Sequence, residues 1–301
     1  MNNRFRSAGF GLMLGFVLVF IVSCGAKEDQ ANMPPGLRSI RALMAEDKID
    51  EAKEKIDSMA GSLSDLKEVG KLYLELAKAY EKSNEPVKAL DSYQEILGKY
   101  QNIDNISEIQ EKVSSLNVNI VFSKVVTDRD VLYEVEPGDT LSKIAKKFGT
   151  TVELIKASNS LKDDMIRARE KLKVSKTGYK ILIDKSQNIL TVFFDDGELF
   201  KVYRVSTGKD NCTPVGIFKV VNRIKDPVWY TQGAVVPAES PDNILGSRWL
   251  GLSVEGYGIH GTTEPDTLGQ QVTAGCIRMI NSEVEELYMI IPSGTEVTIV
   301  D

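Results

Sequence analysis

The spacing of apolar residues divides the chain into three parts with different periodicities. From residue 37 to residue 118, apolar residues recur with helical spacing among Ala, Leu, Lys and Glu. Residues 133–175 follow a strand-helix-helix-strand order. Between residues 178 and 301, apolar and polar residues mostly alternate, which is typical of strands. The pattern therefore predicts a multidomain chain with an all-α helical repeat region, a small βααβ module and a mostly β domain.

Local signals place the elements of the βααβ module. One helix is predicted over 141–148, ended by Gly149. A second helix is predicted to begin at Thr150, because Glu153 stands three residues later in capping-box spacing. A strand over 171–174 completes the module.

The last part contains strands and one helix. Strands are predicted at 179–184, 189–194, 200–205, 217–221 and 297–300. The helix is predicted over 282–290, because Ser282 and Glu285 have capping-box spacing.

Composition and charge narrow the possible functions. The 301 residues are 42% hydrophobic, which allows two or three domains with sizeable cores. The formal net charge is -6 without a basic stripe, so no nucleic-acid partner is expected. Apart from one cysteine near the N-terminus, the chain has two cysteines and one histidine, which make no convincing metal site, and we expect no cofactor.

Residues 1–23 have the character of an export signal. Arg4 and Arg6 form a short positive region, and an apolar run over 9–22 follows it. This length and these flanks are typical of a signal segment rather than a membrane-spanning helix.

The small Ser23 before Cys24 resembles a bacterial lipobox. The resemblance implies cleavage before Cys24 and lipid attachment to its sulfur, which would anchor the protein to a membrane. An uncleaved anchor and an ordinary signal with an incidental cysteine are the alternatives. Each interpretation places residues 25–301 outside the cytoplasm, in the cell envelope. Residues 24–36 are polar and proline-containing, and we interpret them as a tether.

The helical part resembles a tetratricopeptide region. Ala77 and Ala89 are small enough for two helices on either side of a turn at 83–86 to approach closely, as in a repeat of about 34 residues. Stacking of such pairs explains the apolar stripe without a ligand, and a docking surface for another envelope protein is the alternative. The pattern also predicts a degenerate repeat made of 40–43 and 52–59, a closing helix over 103–118 and a connector over 119–132.

The chemistry-bearing residues lie between residues 257 and 281. His260 is the only histidine, and Cys276 follows on a second short strand-like segment. An imidazole within hydrogen-bond reach can take the proton of a thiol, so the two residues form a natural pair. Gly275 clears space for a substrate carbonyl, and the backbone N–H groups near Ala274 and Gly275 are predicted to hold an oxyanion. A structural disulfide between Cys212 and Cys276 is the alternative.

These residues resemble the L,D-transpeptidase catalytic domain of the YkuD type. The match is carried by His260-Gly261 and by Thr273-Ala274-Gly275-Cys276-Ile277-Arg278, extends upstream through 213–218, 227–230 and 245–252, and covers roughly 178–301. The resemblance implies that Cys276 is the nucleophile, His260 the base and then the acid, and the Gly261 carbonyl the group that orients the imidazole. Ala274 stands where many members carry a second histidine.

The resemblance also implies a reaction on peptidoglycan stem peptides. Cys276 would attack the bond before the terminal D-alanine of a donor stem, and an acceptor amine would resolve the thioester in cell-wall crosslinking or remodelling. Water as the acceptor would make the enzyme a carboxypeptidase, and a degenerate site would leave a non-catalytic scaffold that binds the wall.

Three further residues have two interpretations each. Arg278 lies two residues beyond the nucleophile on the same strand face, where it can bind a stem carboxylate or form a structural salt bridge. Tyr257 and Trp249 can line the substrate cleft or belong to the core.

The βααβ module resembles LysM, through 137–141, Asn159 and 172–174 among other positions. The resemblance implies binding of peptidoglycan glycan strands in a groove near 138–140 and 155–161, with Gly138, Asp139, Thr140 and Asn159 as glycan-binding residues. Arg169 stands where members commonly have glycine. A structural spacer is the alternative.

Overall fold

The computed structural model describes residues 35–61, 66–231 and 233–301. The predicted signal segment and the lipidation residue Cys24 lie outside the described residues. In the described ranges, none of the helices has the length and apolar character needed to cross a bilayer. The first described residues, Pro35 and Gly36, are helical although they belong to the predicted tether.

The N-terminal region is all-α, as predicted. Its helices are α1 (Pro35–Ala45), α2 (Ile49–Ala60), α3 (Leu66–Lys82), α4 (Pro86–Lys99) and α5 (Ile106–Val121). Ala77 on α3 and Ala89 on α4 are both fully buried, which allows these two helices to pack closely. Helix α5 continues three residues past the predicted end at 118, into the predicted connector. The tetratricopeptide character stays a prediction.

The βααβ module has the predicted element order. It consists of β1 (Asp130–Glu134), α6 (Leu141–Phe148), α7 (Val152–Asn159) and β2 (Lys171–Ser175). Strands β1 and β2 are antiparallel, with Tyr133 opposite Leu172. Strand β1 starts at Asp130, three residues before the predicted start of the module, so it begins within the predicted connector. Arg169 adopts φ 72°, the left-handed conformation that glycine favours, so the turn is kept despite the arginine.

The predicted cap of the second helix was wrong by one residue. Thr150 N–H donates to the Ala145 carbonyl at 3.0 Å, closing the end of α6. Thr151 is the N-cap of α7, and its Oγ1 accepts from Leu154 N at 3.0 Å. The first threonine therefore belongs to the preceding helix.

The third part is built on an eight-stranded sheet with the order β13-β11-β10-β7-β14-β3-β4-β5. These strands are β3 (Tyr179–Asp184), β4 (Ile189–Phe194), β5 (Leu199–Arg204), β7 (Gly216–Lys225), β10 (Arg248–Leu252), β11 (Gly258–His260), β13 (Ile277–Arg278) and β14 (Glu296–Val300). The remaining strands form two two-stranded sheets, one of β6 (Thr207–Gly208) and β12 (Gln271–Thr273) and one of β8 (Trp229–Thr231) and β9 (Ala234–Val236).

One helix, α8 (Asn281–Ile290), packs on this sheet. Its first residue is Asn281, and no side chain caps it, so the predicted capping box of Ser282 and Glu285 is absent. The side chain of Asn281 bonds to other segments instead, as described below.

The three parts pack against one another. Helix α5 lies along β5, the edge strand of the sheet. Gln94 Nε2 and Asn117 Nδ2 donate to the Leu199 carbonyl at 2.7 and 2.8 Å, satisfying backbone groups that an edge strand leaves unpaired. On the module side, Leu154 is buried in the core of the β domain, and Glu153 pairs with Arg223 at 3.1 Å.

Candidate active site

Parallel pairing of two short strands brings the predicted catalytic residues together. Strands β11 and β13 align with His260 opposite Arg278, and Cys276 immediately precedes β13. His260, Cys276 and Arg278 line one pocket with a volume of about 470 Å³. Both described thiols are free, so the alternative of a Cys212–Cys276 disulfide is excluded.

His260 is held as a neutral, oriented imidazole. It is 3% exposed, and its Nδ1 lies 2.7 Å from the Gly261 carbonyl oxygen. Because a carbonyl only accepts, Nδ1 carries the proton and Nε2 keeps a lone pair. The Trp249 ring stacks on the imidazole with centroids 5.8 Å apart.

Burial lowers the pKa of His260 to about 4, and the nearby charge of Arg278 acts in the same direction, while the Gly261 carbonyl opposes the shift. The ring is therefore neutral near neutral pH and able to accept a proton.

Cys276 is half-buried with its Sγ 3.6 Å from the Gly256 carbonyl oxygen. Burial raises the pKa of its thiol, although the Gly258 backbone and the Arg278 charge oppose this. The resting site is thus a thiol and a neutral imidazole in one pocket rather than a preformed ion pair. Proton transfer has to accompany attack on the substrate.

A tight turn presents the cysteine. Thr273 Oγ1 donates to the Cys276 carbonyl at 2.7 Å and accepts from Gly275 N at 3.1 Å. Gly275 has φ 127°, and a Cβ there would lie 2.6 Å from a ring carbon of Tyr257. Glycine is therefore required for both reasons. Tyr257 supports this turn and is absent from the residues that line the pocket.

The structure corrects one detail of the predicted oxyanion site. Because the Gly275 N–H already donates to Thr273, it is not free to hold an oxyanion. The candidate donors that remain are the N–H groups of Ala274, which lines the pocket, and of Cys276.

Of the two roles considered for Arg278, the structure shows the salt bridge. Its guanidinium donates to Glu264 Oε2 at 2.8 Å and to Thr267 Oγ1 at 3.2 Å. Its Nε has no hydrogen-bond partner in the part of the chain that is described. Arg278 is 7% exposed and still lines the pocket, so the structural role is clear and contact with substrate stays a prediction.

The predicted glycan-binding residues do not have equal exposure. Gly138 and Thr140 are exposed at the start of α6. Asp139 accepts a hydrogen bond from the hydroxyl of Tyr133 on β1 at 2.8 Å. The Asn159 amide instead pairs with both backbone groups of Lys173 at 2.8 Å. Asn159 thus ties α7 to β2.

Two residues were missed as parts of the site. Thr213 Oγ1 donates to the Gly275 carbonyl at 2.8 Å and accepts from Gly208 N at 2.8 Å. Asn281 bonds to the segments around Ser247 and Thr262. Thr213 opens a stretch that carried the family resemblance, which was a usable signal, whereas Asn281 looked like an ordinary residue at a helix start.

Comparison with known proteins agrees with this geometry. The L,D-transpeptidase catalytic domain of the YkuD family matches residues 178–299, and the LysM domain matches residues 133–175.

Two curated relatives show how far the similarity extends. The putative L,D-transpeptidase YkuD of Bacillus licheniformis is 34% identical over 177 residues, covering 56% of this chain and 98% of the relative. The putative L,D-transpeptidase YqjB of Bacillus subtilis is 42% identical over 127 residues, covering 40% and 70%. An L,D-transpeptidase structure from Mycobacterium tuberculosis aligns with a TM-score of 0.36 at 18% identity, covering 44% of this chain and 63% of that chain. Because this chain is 34% identical to the Bacillus licheniformis relative over 98% of that relative's length, it belongs to the YkuD family of L,D-transpeptidases.

Proposed function

We propose that this L,D-transpeptidase uses Cys276 to cleave the bond before the terminal D-alanine of a peptidoglycan stem tetrapeptide and transfers the acyl group to an amine. The observation that carries the proposal is the shared pocket of Cys276 and His260, with the Gly261 carbonyl holding Nδ1 and leaving Nε2 as a base.

In the first half-reaction, Sγ attacks the scissile carbonyl carbon while Nε2 takes the thiol proton. The N–H groups of Cys276 and Ala274 are the proposed donors to the oxyanion. The imidazolium then protonates the departing D-alanine amine, and a thioester remains. Burial that lowers the pKa of His260 makes its imidazolium more acidic than an ordinary one, which favours this second transfer.

In the second half-reaction, an amine attacks the thioester carbonyl and gives its proton to Nε2. The tetrahedral intermediate collapses to an amide, and the sulfur recovers the proton from the imidazolium. Transfer to a stem amine would crosslink the wall. Transfer to water is the carboxypeptidase alternative, and only the products separate the two.

The pocket supports a peptide substrate with a carboxylate. Most of its lining is apolar, including Ile224, Trp229 and Tyr230, and Arg278 contributes a positive charge. Because Arg278 is already paired with Glu264, its proposed role toward a stem carboxylate is a weak electrostatic one.

The other parts of the chain would place the enzyme at its substrate. We propose that the LysM module binds glycan strands through the exposed surface at 138–140, and that Cys24 carries a lipid anchor in the cell envelope. Tethering raises the local concentration of stem peptides, so weak affinity for each stem suffices. A docking site for an envelope partner would have to use helix faces other than the side of α5 that covers β5.

Incubation of the full chain with a disaccharide tetrapeptide, followed by intact-mass analysis and product chromatography, tests the proposal. We expect a thioester adduct and crosslinked dimers. Cys276→Ala should lose both, and Cys212→Ala, which removes the other described thiol, should keep both. Tripeptide without dimer would indicate a carboxypeptidase, and no adduct with the unaltered chain would leave the scaffold alternative.

A further inference from the structure

We propose that Asn281 is a positioning residue for catalysis, because its side-chain amide fixes the peptide group whose carbonyl orients His260. This inference rests on the proposed role of His260 as the base.

The amide of Asn281 joins two chain segments to the start of α8. Its Oδ1 accepts from Ser247 N at 3.2 Å and from Thr262 N at 3.1 Å. Its Nδ2 donates to the Thr262 carbonyl at 3.0 Å. The side chain thus uses both its donor and its acceptor on backbone, and none of these bonds serves the helix that begins at this residue.

One of these bonds acts on the imidazole through a single peptide plane. The Gly261 carbonyl and the Thr262 N–H belong to the same trans peptide group, so they point in opposite directions. The N–H is held by Asn281 Oδ1, and the carbonyl oxygen lies 2.7 Å from His260 Nδ1. A rotation of this plane would break both hydrogen bonds together.

The backbone approaches the amide too closely for any side chain. A Cβ added at Gly246 or at Gly261 would lie 2.2 or 2.1 Å from Asn281 Oδ1. Real Cβ atoms do not approach oxygen so closely, so both positions require glycine. The close approach leaves the two segments little freedom to shift relative to Asn281.

The same amide also holds the segment that follows Leu245, through its bond with Ser247 N. Leu245 lines the same pocket as His260. Asn281 therefore fixes the peptide group that holds the imidazole and a second segment of the pocket wall.

Removal of the amide is expected to impair chemistry more than substrate binding. Without it the Gly261 carbonyl can turn away, and the imidazole can take the other tautomer, with the proton on Nε2 where a lone pair is needed. Misplacement of a catalytic group by about 1 Å costs on the order of 10²-fold in rate. We expect Asn281→Leu to lower the acylation kcat by about that factor with little change in KM.

Asn281→Asp separates positioning from simple packing. The carboxylate keeps an acceptor for Ser247 N and Thr262 N, but it replaces the donor to the Thr262 carbonyl with an oxygen that opposes this carbonyl. It should therefore retain more of the acylation rate than Asn281→Leu. Ser282→Ala is the matched control, because Ser282 is exposed and adjacent in sequence.

The deciding measurement is the imidazole tautomer. Because His260 is the only histidine, ¹⁵N-histidine labelling of the untagged full chain reports this ring alone. We expect the Nδ1–H form in the unaltered protein, Asn281→Asp and Ser282→Ala, and a mixture of tautomers in Asn281→Leu. The proposal is overturned if folded Asn281→Leu keeps the Nδ1–H form, or if its loss of rate only follows its folded fraction. Failure of the proposed function would appear differently, as absence of acylation in the unaltered chain.

Discussion

Thr213 donates a hydrogen bond from Oγ1 to the carbonyl oxygen of Gly275, 2.8 Å away and one residue before the nucleophile. Thr213 Oγ1 also accepts from Gly208 N, and the Thr213 carbonyl accepts from the buried Lys185 Nζ at 2.9 Å. A buried threonine thus connects the cysteine turn to the body of the sheet.

We expect Thr213→Val to cost about 1–3 kcal/mol of unfolding free energy, because it leaves two buried backbone groups unpaired. Acylation should also slow at least tenfold, since the turn loses its anchor. Thr213→Ser keeps the hydroxyl and should restore most of both quantities. Urea unfolding and single-turnover acylation measure them, and a valine variant with full activity would show that the turn is held without this bond.

The protonation state of the site predicts unusual thiol reactivity. The raised pKa of Cys276 means that iodoacetamide should alkylate it slowly at pH 7 and faster as the pH rises above the usual thiol range. Exposed Cys212 in the same digest is the internal reference. Acylation by tetrapeptide should nevertheless proceed near pH 7, because His260 removes the proton during attack.

His260→Gln should abolish acylation and leave alkylation of Cys276 nearly unchanged. Rapid alkylation at pH 7 that disappears in His260→Gln would instead indicate a preformed ion pair. Peptide mapping by mass spectrometry gives both rates in one experiment.

The buried imidazole also predicts a pH dependence of stability. Its pKa is about 4 in the folded protein and 6.5 ordinarily, so the unfolded chain takes up the proton first as the pH falls. The contribution is complete above pH 6.5 and is lost as the pH falls toward 4, a loss of up to about 3 kcal/mol. Urea unfolding at pH 6.5 and at pH 4 should show this loss of unfolding free energy in the unaltered chain and not in His260→Gln. Equal losses in the two proteins would contradict the assignment of the loss to His260.

The position of Leu154 predicts that the stabilities of the LysM module and the catalytic domain depend on each other. It belongs to the module and is 1% exposed within the catalytic core. We expect Leu154→Ala to cost about 2–5 kcal/mol and to lower catalytic turnover through partial unfolding. Leu132→Ala, at a position of the same module that is 54% exposed, should change stability by less than about 0.5 kcal/mol.

The sequence alone suggests that deleting 133–174 would weaken wall binding and spare turnover of soluble muropeptides. Because Leu154 and Glu153 pack on the catalytic domain, we now expect that deletion to reduce turnover as well. Turnover that survives deletion unchanged would show that these contacts contribute little.

The sequence determined those features that depend on neighbouring residues. Alternating apolar residues placed β3 and β4 with their observed bounds, Gly149 ended α6, and the glycine before Cys276 marked a turn that other residues cannot form. The lone histidine and the Gly-Cys pair identified the site because few residue types can perform this chemistry.

Only the tertiary structure decided which partners each polar group has. Asn281 bonds to residues 34 and 19 positions earlier, and no local pattern encodes such distances. The Gly275 N–H was expected to be free but is taken by Thr273, and Thr150 closes one helix where it was expected to start the next. Hydrogen-bond partners and burial depend on segments that meet only after folding. The sequence therefore identifies the residues of the site, whereas packing sets their protonation and orientation.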